Sequence, residues 1–200
     1  MIMETDILSI ISTTFKGYIS NTYPFPNPFK GKSTIKAIVL GADPTHIVNG
    51  NPIPVQIVFG LNNQKSPYWR RISKNLSHIS NLTLDNLYVQ NLCQNYFTCE
   101  TGKNKCWTKI AREYWIPVLK LELDNLFPMN TPVLMTTEFI LKSCLNDPKV
   151  HCKAEYFYTN CRTVSESENL LERELIPFYR HPHYSLNKWQ NYKDFIQEKF

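Results

Sequence analysis

The sequence predicts an α/β fold of three layers, in which helices cover both faces of a central, mostly parallel four-stranded sheet. Strand-length apolar segments alternate with segments of helical periodicity along the 200 residues, which is typical of parallel sheets with helical connections. The chain also contains no internal repeat and no interior linker. We therefore expect one domain over residues 1–200, with residues 1–34 forming an N-terminal helix and a proline-rich lead-in.

Four main strands are predicted. The clearest is Ile35–Leu40, an apolar segment that Gly41 and Pro44 bring to an end. Pro177 indicates an edge position for the last strand, because proline cannot donate a ladder hydrogen bond. Val55–Phe59 is expected to be a further short extended piece. The other three main strands are Leu87–Asn91, Thr131–Thr137 and Leu175–Tyr179.

Helices are predicted between these strands. The first covers residues 1–20, where Ile7, Ile11 and Phe15 recur near helical spacing. Pro117 is expected to kink or shorten the predicted helix Trp107–Leu121. We interpret Lys149–Ser167 as an insertion or an extra hairpin. The later predicted helices are Ser66–Leu76, Trp107–Leu121, Glu138–Leu145, Glu168–Glu174 and Leu186–Phe200.

Composition excludes several classes of protein. Hydrophobic residues make up 42% of the chain and charged residues 20%, as expected for a packed globule rather than a disordered segment. No apolar run approaches the roughly 20 residues of a membrane span, and the N-terminus has no secretion-signal pattern. We expect a monomer without a membrane partner, cytoplasmic or, in a eukaryotic cell, nuclear. The net charge of +5 is compatible with a polyanionic partner.

The six cysteines do not indicate a cofactor. Their spacings contain no Cys-x-x-Cys pair, which disfavours a zinc or iron–sulfur site. The one cluster that resembles a metal site is His151 and Cys152 with Cys144 and Cys161, and ordinary thiols are the preferred interpretation. We therefore expect neither a metal nor a nucleotide cofactor.

Polar side chains follow the ends of the predicted strands. Asp43 follows the first strand, Asn91 ends the second, and His181 follows the fourth. Ligands of such sheets bind at the carboxyl ends of the strands. The sequence therefore predicts that an acid, an amide and a histidine converge on one rim.

Five short motifs occur in the order of a known family. The segment IVLGADPTH resembles the water-activating loop of uracil-DNA glycosylases, whose usual form is Gly-Gln-Asp-Pro-Tyr-His. The remaining motifs are similar to the family's aromatic platform, Pro-rich loop, base-reading strand and histidine loop. In this chain the five are Ile38–His46, Ile57–Leu61, Ser66–Leu76, Leu87–Asn91 and Arg180–Leu186. The resemblance covers roughly residues 35–200.

The resemblance implies a monofunctional hydrolase that removes uracil, or a related damaged base, flipped out of DNA. Asp43 would stabilise the sugar cation and orient water, and His181 would stabilise the departing base. His183, two residues further on, is an alternative to His181. Asn91 would read the base edge, and Phe59 would stack on the base.

The same resemblance implies contacts with the DNA backbone. Phosphates would be bound by His46, Ser66, Ser185 and the backbone near Pro67. A basic rim beside that loop could add affinity, and its residues are Lys65, Arg70, Arg71 and Lys74. Either Tyr184 or Leu186 would be the wedge that fills the vacated base stack.

The chain also departs from the family. Thr45 replaces a tyrosine whose bulk excludes the methyl group of thymine, so bases other than uracil are candidate substrates. A second hypothesis is a non-catalytic DNA-binding or partner-docking protein that keeps the scaffold. A third, a nucleotide-binding α/β protein, rests only on Gly31-Lys32-Ser33, which is a fragment of a phosphate-binding loop.

Overall fold

A computed structural model describes residues 4–48, 51–62, 67–149 and 153–200. The helices flank a central sheet and are numbered in chain order. They are α1 (Glu4–Thr14), α2 (Pro67–Leu76), α3 (Trp107–Ile110), α4 (Ile116–Leu126), α5 (Glu138–Cys144), α6 (Ala154–Asn160) and α7 (Gln190–Gln197).

The strands form one five-stranded sheet and two short pairs. They are β1 (Ile19–Ser20), β2 (Phe29–Lys30), β3 (Ala37–Gly41), β4 (Ile47–Val48), β5 (Asn51–Pro52), β6 (Leu87–Asn91), β7 (Tyr96–Phe97), β8 (Val133–Met135) and β9 (Leu175–Pro177). The central sheet has the order β2-β6-β3-β8-β9, while β1 pairs with β7 and β4 with β5.

The central sheet is parallel except for β2, which runs antiparallel to β6. Every residue of β3 and β6 is buried. Since neighbouring side chains of a strand point to opposite faces, both faces of the sheet are covered. The three-layer α/β/α fold predicted from the sequence is confirmed.

The predicted strand count was one too low. β2 is only two residues long and lies in a segment rich in proline, where periodicity carries no information. The predicted edge position of Pro177 is confirmed, because β9 is the last strand of the sheet. Val55–Phe59 is not a strand: Val58–Gly60 form a 3-10 turn.

Other boundaries also differ from the prediction. α1 ends at Thr14, and no helix covers Glu168–Glu174, where a 3-10 turn at Glu166–Glu168 leads into irregular backbone. The Lys149–Ser167 segment contains α6 rather than a hairpin. The predicted C-terminal helix begins later, at Gln190, after two 3-10 turns.

Pro117 does not break its helix. A π-helical turn at Ala111–Trp115 precedes α4, and Pro117 lies in the first turn of α4. A proline is tolerated there, since the first N–H groups of a helix need no acceptor within it. The helical segment therefore runs from Trp107 to Leu126.

A buried arginine joins the end of α4 to the strand side of the core. Arg173 is fully buried, and its guanidinium donates to the carbonyl oxygens of Leu123 and Phe127 at 3.0 Å and forms an ion pair with Asp124 at 3.0 Å. The Leu123 carbonyl also accepts the Phe127 N–H at 2.9 Å, so the arginine adds donors at the end of the helix, where intrahelical donors run out. Arg173 thus caps the helix that packs beside the central sheet.

Within the described part of the chain, no helix is both long enough and apolar enough to cross a lipid bilayer.

Candidate functional site

A cavity of about 430 Å³ opens at the carboxyl ends of the parallel strands. We call it the rim pocket. The strand register places Gly41 of β3 beside Asn91 of β6, so the segments that leave these strands meet at one edge. The residues that line the rim pocket include Asp43, Thr45, His46, Phe59, Tyr68, Asn91, Glu100 and Arg180.

Gly41 is required by the close packing at the floor of this site. A Cβ atom at residue 41 would lie 2.7 Å from Cζ of Phe59 and closer still to the side-chain oxygen of Asn91. Real Cβ atoms do not approach other groups so closely, so a larger residue would displace the ring or the amide. The glycine that ends β3 therefore allows Phe59 and Asn91 to close over the strand.

Asn91 is buried but offers a free amide. Asn91 is 3% exposed, and its backbone N–H donates to Oε1 of Gln90 at 2.9 Å. Within the described residues its side-chain amide has no hydrogen-bond partner, although buried polar groups nearly always have one. The amide lines the rim pocket and can donate one hydrogen bond and accept another there.

Phe59 is held in an uncommon backbone conformation. Its φ is 58° and its ψ 10°, the left-handed region that side chains other than glycine rarely adopt. The ring is half-buried, with its centroid 6.0 Å from that of Trp69. Strained backbone of this kind is concentrated at ligand sites, and here it presents an aromatic ring to the pocket.

Asp43 receives three hydrogen bonds. The backbone N–H of Thr45 donates to Oδ1 at 2.8 Å, and the Thr101 hydroxyl at 2.6 Å and the Trp107 indole at 2.8 Å donate to Oδ2. Burial raises the pKa of Asp43 above its ordinary value, and the three hydrogen bonds oppose that rise. The carboxylate is thus fixed in orientation at the pocket wall, with Oδ1 less occupied than Oδ2.

Thr45 and His46 are also at the rim pocket. The Thr45 hydroxyl accepts a hydrogen bond of 2.8 Å from the backbone N–H of Phe97, which directs its oxygen towards β7. Nδ1 of His46 lies 3.4 Å from the Tyr68 hydroxyl. These contacts fix the loop after β3 against two other parts of the chain.

Arg180 forms part of the same wall. Its backbone N–H donates to the carbonyl of Thr136 at 3.0 Å, and its guanidinium carbon lies 4.2 Å from the centre of the Tyr68 ring. Burial lowers the pKa of Arg180, but a guanidinium remains protonated in proteins. The pocket therefore has acidic residues, Asp43 and Glu100, and a positive group, Arg180, on its walls.

His181 lines a neighbouring cavity instead. This second cavity measures about 280 Å³, and we call it the basic pocket. His181 is exposed, and its Nδ1 accepts a hydrogen bond of 3.2 Å from the backbone N–H of His183. Arg180 lines both pockets. The structure thus brings Asp43 and Asn91 into one pocket and places His181 beside it.

The basic pocket carries positive charge. Four cationic side chains line it, and no acidic residue does so within the described residues; the four are Arg71, Lys74, Arg180 and Lys188. Ser185 also lines it, and its hydroxyl oxygen is buried without a hydrogen-bond partner among the described residues. Asn75 joins this loop to α2, since it donates to Tyr179 O at 3.1 Å and accepts from Leu186 N at 3.2 Å.

Of the two wedge candidates, only Tyr184 is accessible. Leu186 is fully buried in the core, so the expectation that it enters DNA disagrees with the structure. Tyr184 is half-buried and packs on Tyr158, with ring centroids 5.0 Å apart, and on Trp189, with 6.2 Å. His183 is exposed and lies 4.9 Å from the Tyr184 ring.

Some predicted residues cannot be placed. Ser66 lies outside the described residues, as do His151 and Cys152 of the candidate metal cluster. Pro67 is described only as the first residue of α2.

Sequence reasoning missed three contributors to the site. Thr101 and Trp107 hold Asp43 from 58 and 64 residues away, and no local pattern reveals such contacts. Arg180 had a signal, since it stands between a predicted strand and the histidine motif, but it received no role. No protein-family model matches the chain, and no curated protein matches it either.

Proposed function

We propose that the protein is a DNA glycosylase that hydrolyses the bond between deoxyribose and uracil, or a related base, turned out of the DNA stack. The observation that carries this proposal is the Asn91 amide, which has no hydrogen-bond partner among the described residues and lies beside the Phe59 ring in a pocket that also contains Asp43. A planar heterocycle with hydrogen-bonding edges matches this combination of a ring face and an amide.

The reaction separates charge between the sugar and the base, and the rim pocket contains charged groups of both signs. The C1′–N1 bond breaks and leaves its electron pair on the base, so the sugar becomes positive and the base negative. Water then adds to C1′ and loses a proton, and the base anion takes up a proton. The fixed carboxylate of Asp43 would stabilise the sugar cation and orient the water, because its position does not need to change during the reaction.

Base recognition would use the floor of the rim pocket. Phe59 would stack on one face of the base, and the Asn91 amide would pair with a carbonyl and an N–H on its edge. Thr45 presents a small side chain in this pocket. Thymine, other modified pyrimidines and hypoxanthine are therefore included in the proposed substrate range.

Binding of the DNA strand would use the basic pocket and His46. The four cations have no acidic partner among the residues that line the basic pocket, and the unpaired Ser185 hydroxyl adds a donor. Phosphate oxygens accept hydrogen bonds from such groups. Tyr184 would fill the gap left by the extruded base.

One observation favours a second function, a DNA-binding protein without catalysis. Asp43 already accepts three hydrogen bonds, so its carboxylate has a structural role in the loop whether or not it reacts. In that case DNA binding would survive Asp43→Asn and no base would be released by either protein.

The test is base removal from labelled oligonucleotides that contain uracil, hypoxanthine or mismatched thymine, followed by alkaline cleavage of abasic sites. We expect wild type to cleave at one or more of these bases and Asp43→Asn to lose the activity. Asp85→Asn is the matched control, because Asp85 is exposed and precedes the start of β6, at the opposite edge of the sheet. Absence of product from wild type across the panel would exclude the enzymatic proposal.

A further inference from the structure

We infer that Arg180, rather than His181, is the catalytic residue that stabilises the negative charge of the departing base. This inference rests on the proposed glycosylase function and assigns the residue that acts on its leaving group. It depends on where the two side chains lie: Arg180 lines the rim pocket together with Asp43 and Asn91, whereas His181 lines only the basic pocket.

The Arg180 backbone is fixed at the rim. Its N–H donates to Thr136 O at 3.0 Å, and the Thr136 hydroxyl donates to Leu40 O at 2.7 Å. This chain of contacts crosses from β9 over β8 to β3, whose end leads to Asp43. The arginine and the aspartate therefore belong to one rigid edge of the sheet.

The guanidinium is positioned as well. It lies over the Tyr68 ring at 4.2 Å, and Tyr68 contacts His46 through its hydroxyl. Stacking on an aromatic face occupies one face of the guanidinium and leaves its N–H groups available at the edge. No carboxylate forms an ion pair with Arg180 among the described residues.

The charges around Arg180 favour an anionic ligand. The titratable and charged groups that line its two pockets are Asp43, His46, Tyr68 and Glu100 on one side, and Arg71, Lys74, His181 and Lys188 on the other. Arg180 is desolvated next to cations on the basic side, so a negative charge that develops in the rim pocket would be stabilised strongly. A fixed donor aimed at developing charge is the largest single contribution in many enzymes.

His181 is less well placed than Arg180 to stabilise the departing base. It is exposed, and its Nδ1 is already an acceptor for the His183 N–H, which leaves Nε2 as the only nitrogen free to donate. An exposed donor competes with water and contributes little. We expect His181 to serve the DNA strand from the basic pocket.

The experiment compares single-turnover rates of base release for Arg180→Gln, Arg180→Lys and His181→Gln on DNA that contains uracil or 5-fluorouracil. Fluorine makes the departing base anion more stable, so release of 5-fluorouracil depends less on stabilisation of that anion by the protein. At saturating protein, Arg180→Gln should slow uracil release by about 100- to 1000-fold and 5-fluorouracil release by clearly less. Arg180→Lys should recover part of the rate. His181→Gln changes a proposed DNA contact, so it should slow release of both bases by the same factor.

Three outcomes overturn the inference. The first is a wild-type rate of base release in Arg180→Gln. The second is an equal loss of rate on both bases in a folded Arg180→Gln protein, because a merely structural role would produce that result. A base-dependent loss in His181→Gln assigns the role to the histidine. In each of these cases wild type remains active, so the proposed function stands; if wild type releases no base at all, the function and this inference fail together.

Discussion

The ring of Phe59 lies against Gly41, with its Cζ atom 2.7 Å from the position that a Cβ atom on residue 41 would occupy. This contact explains why a glycine ends β3, and the Phe59 backbone beside it has a φ of 58°. It places the proposed stacking ring directly beside the buried strand that leads to Asp43.

Gly41→Ala should displace the Phe59 ring or the Asn91 amide and abolish base release. Because overpacking of a tight site costs about 1–3 kcal/mol, the free energy of unfolding should also fall by that amount. Gly102→Ala is the matched control for the effect on unfolding, since a Cβ atom there meets nothing within 4 Å. Denaturant unfolding and the oligonucleotide assay check both effects, and unchanged activity in Gly41→Ala would contradict the proposed floor.

Asn91→Asp should shift base preference from uracil towards cytosine-like bases. The change replaces the amide donor by an acceptor, and a site built for one hydrogen-bonding edge rejects the opposite edge strongly. The measurement is the ratio of release rates for cytosine- and uracil-containing DNA in the two proteins. An unchanged ratio would remove Asn91 from base reading.

Activity should rise with pH as Asp43 ionises, with a midpoint above the ordinary aspartate range of about 3.9, because burial raises the Asp43 pKa. The contribution of Asp43 to folding stability should change in the opposite direction and fall as pH rises. A raised pKa means that the folded state binds this proton more tightly than the unfolded chain, so the contribution is fully present below the ordinary pKa and is lost as pH rises through the raised one.

Single-turnover rates and unfolding free energies measured from pH 4 upwards test both parts. In Asp43→Asn this decline of stability with pH should be absent. An acid limb of the activity at or below the ordinary aspartate range would disagree with the assigned burial.

Thr45 should set the size limit of the rim pocket. Thr45→Tyr should reduce release of hypoxanthine and thymine more than release of uracil, since the larger side chain would occupy space in the pocket. Thr45→Ser retains the acceptor for the Phe97 N–H and should leave the preference unchanged. Thr45→Val leaves that N–H unpaired and should destabilise the fold by about 1–3 kcal/mol. Equal effects of Thr45→Tyr on all bases would exclude a role in selectivity.

Arg71→Gln combined with Lys74→Gln should weaken DNA binding uniformly across sequences. Each phosphate contact contributes about 0.9 to the slope of log affinity against log salt concentration, so the double variant should lower that slope by about 1–2. Lys32→Gln is the control, because Lys32 is exposed and precedes the start of β3, away from both pockets. A salt dependence equal to wild type would show that the basic pocket does not contact phosphates.

Much of the central sheet was predictable because its strands are made of buried apolar residues. The run from Ile38 to Leu40 is ended by Gly41, and Pro177 marks the edge strand. The two-residue strand β2 was not predictable, since its pairing with β6 depends on partners far along the chain. The position of the Phe59 ring was not predictable either, because it packs against Gly41, which is distant in the sequence.

The candidate site was predictable only in part. Asp43 and Asn91 follow strand ends whose positions the apolar pattern gives, and parallel strands bring such ends together. The Trp107 indole that holds Asp43 comes from a helix 64 residues away. The placement of His181 outside the pocket that holds Asp43 and Asn91 depends on side-chain directions that no sequence pattern specifies.

The most direct test of the proposed function is chromatographic detection of free base after incubation of wild-type protein with DNA that contains a single uracil. The proposal predicts one equivalent of uracil per equivalent of abasic DNA, and none with Asp43→Asn. If intact uracil-DNA is recovered from wild type, and the hypoxanthine and thymine substrates are intact too, the rim pocket is not a glycosylase site.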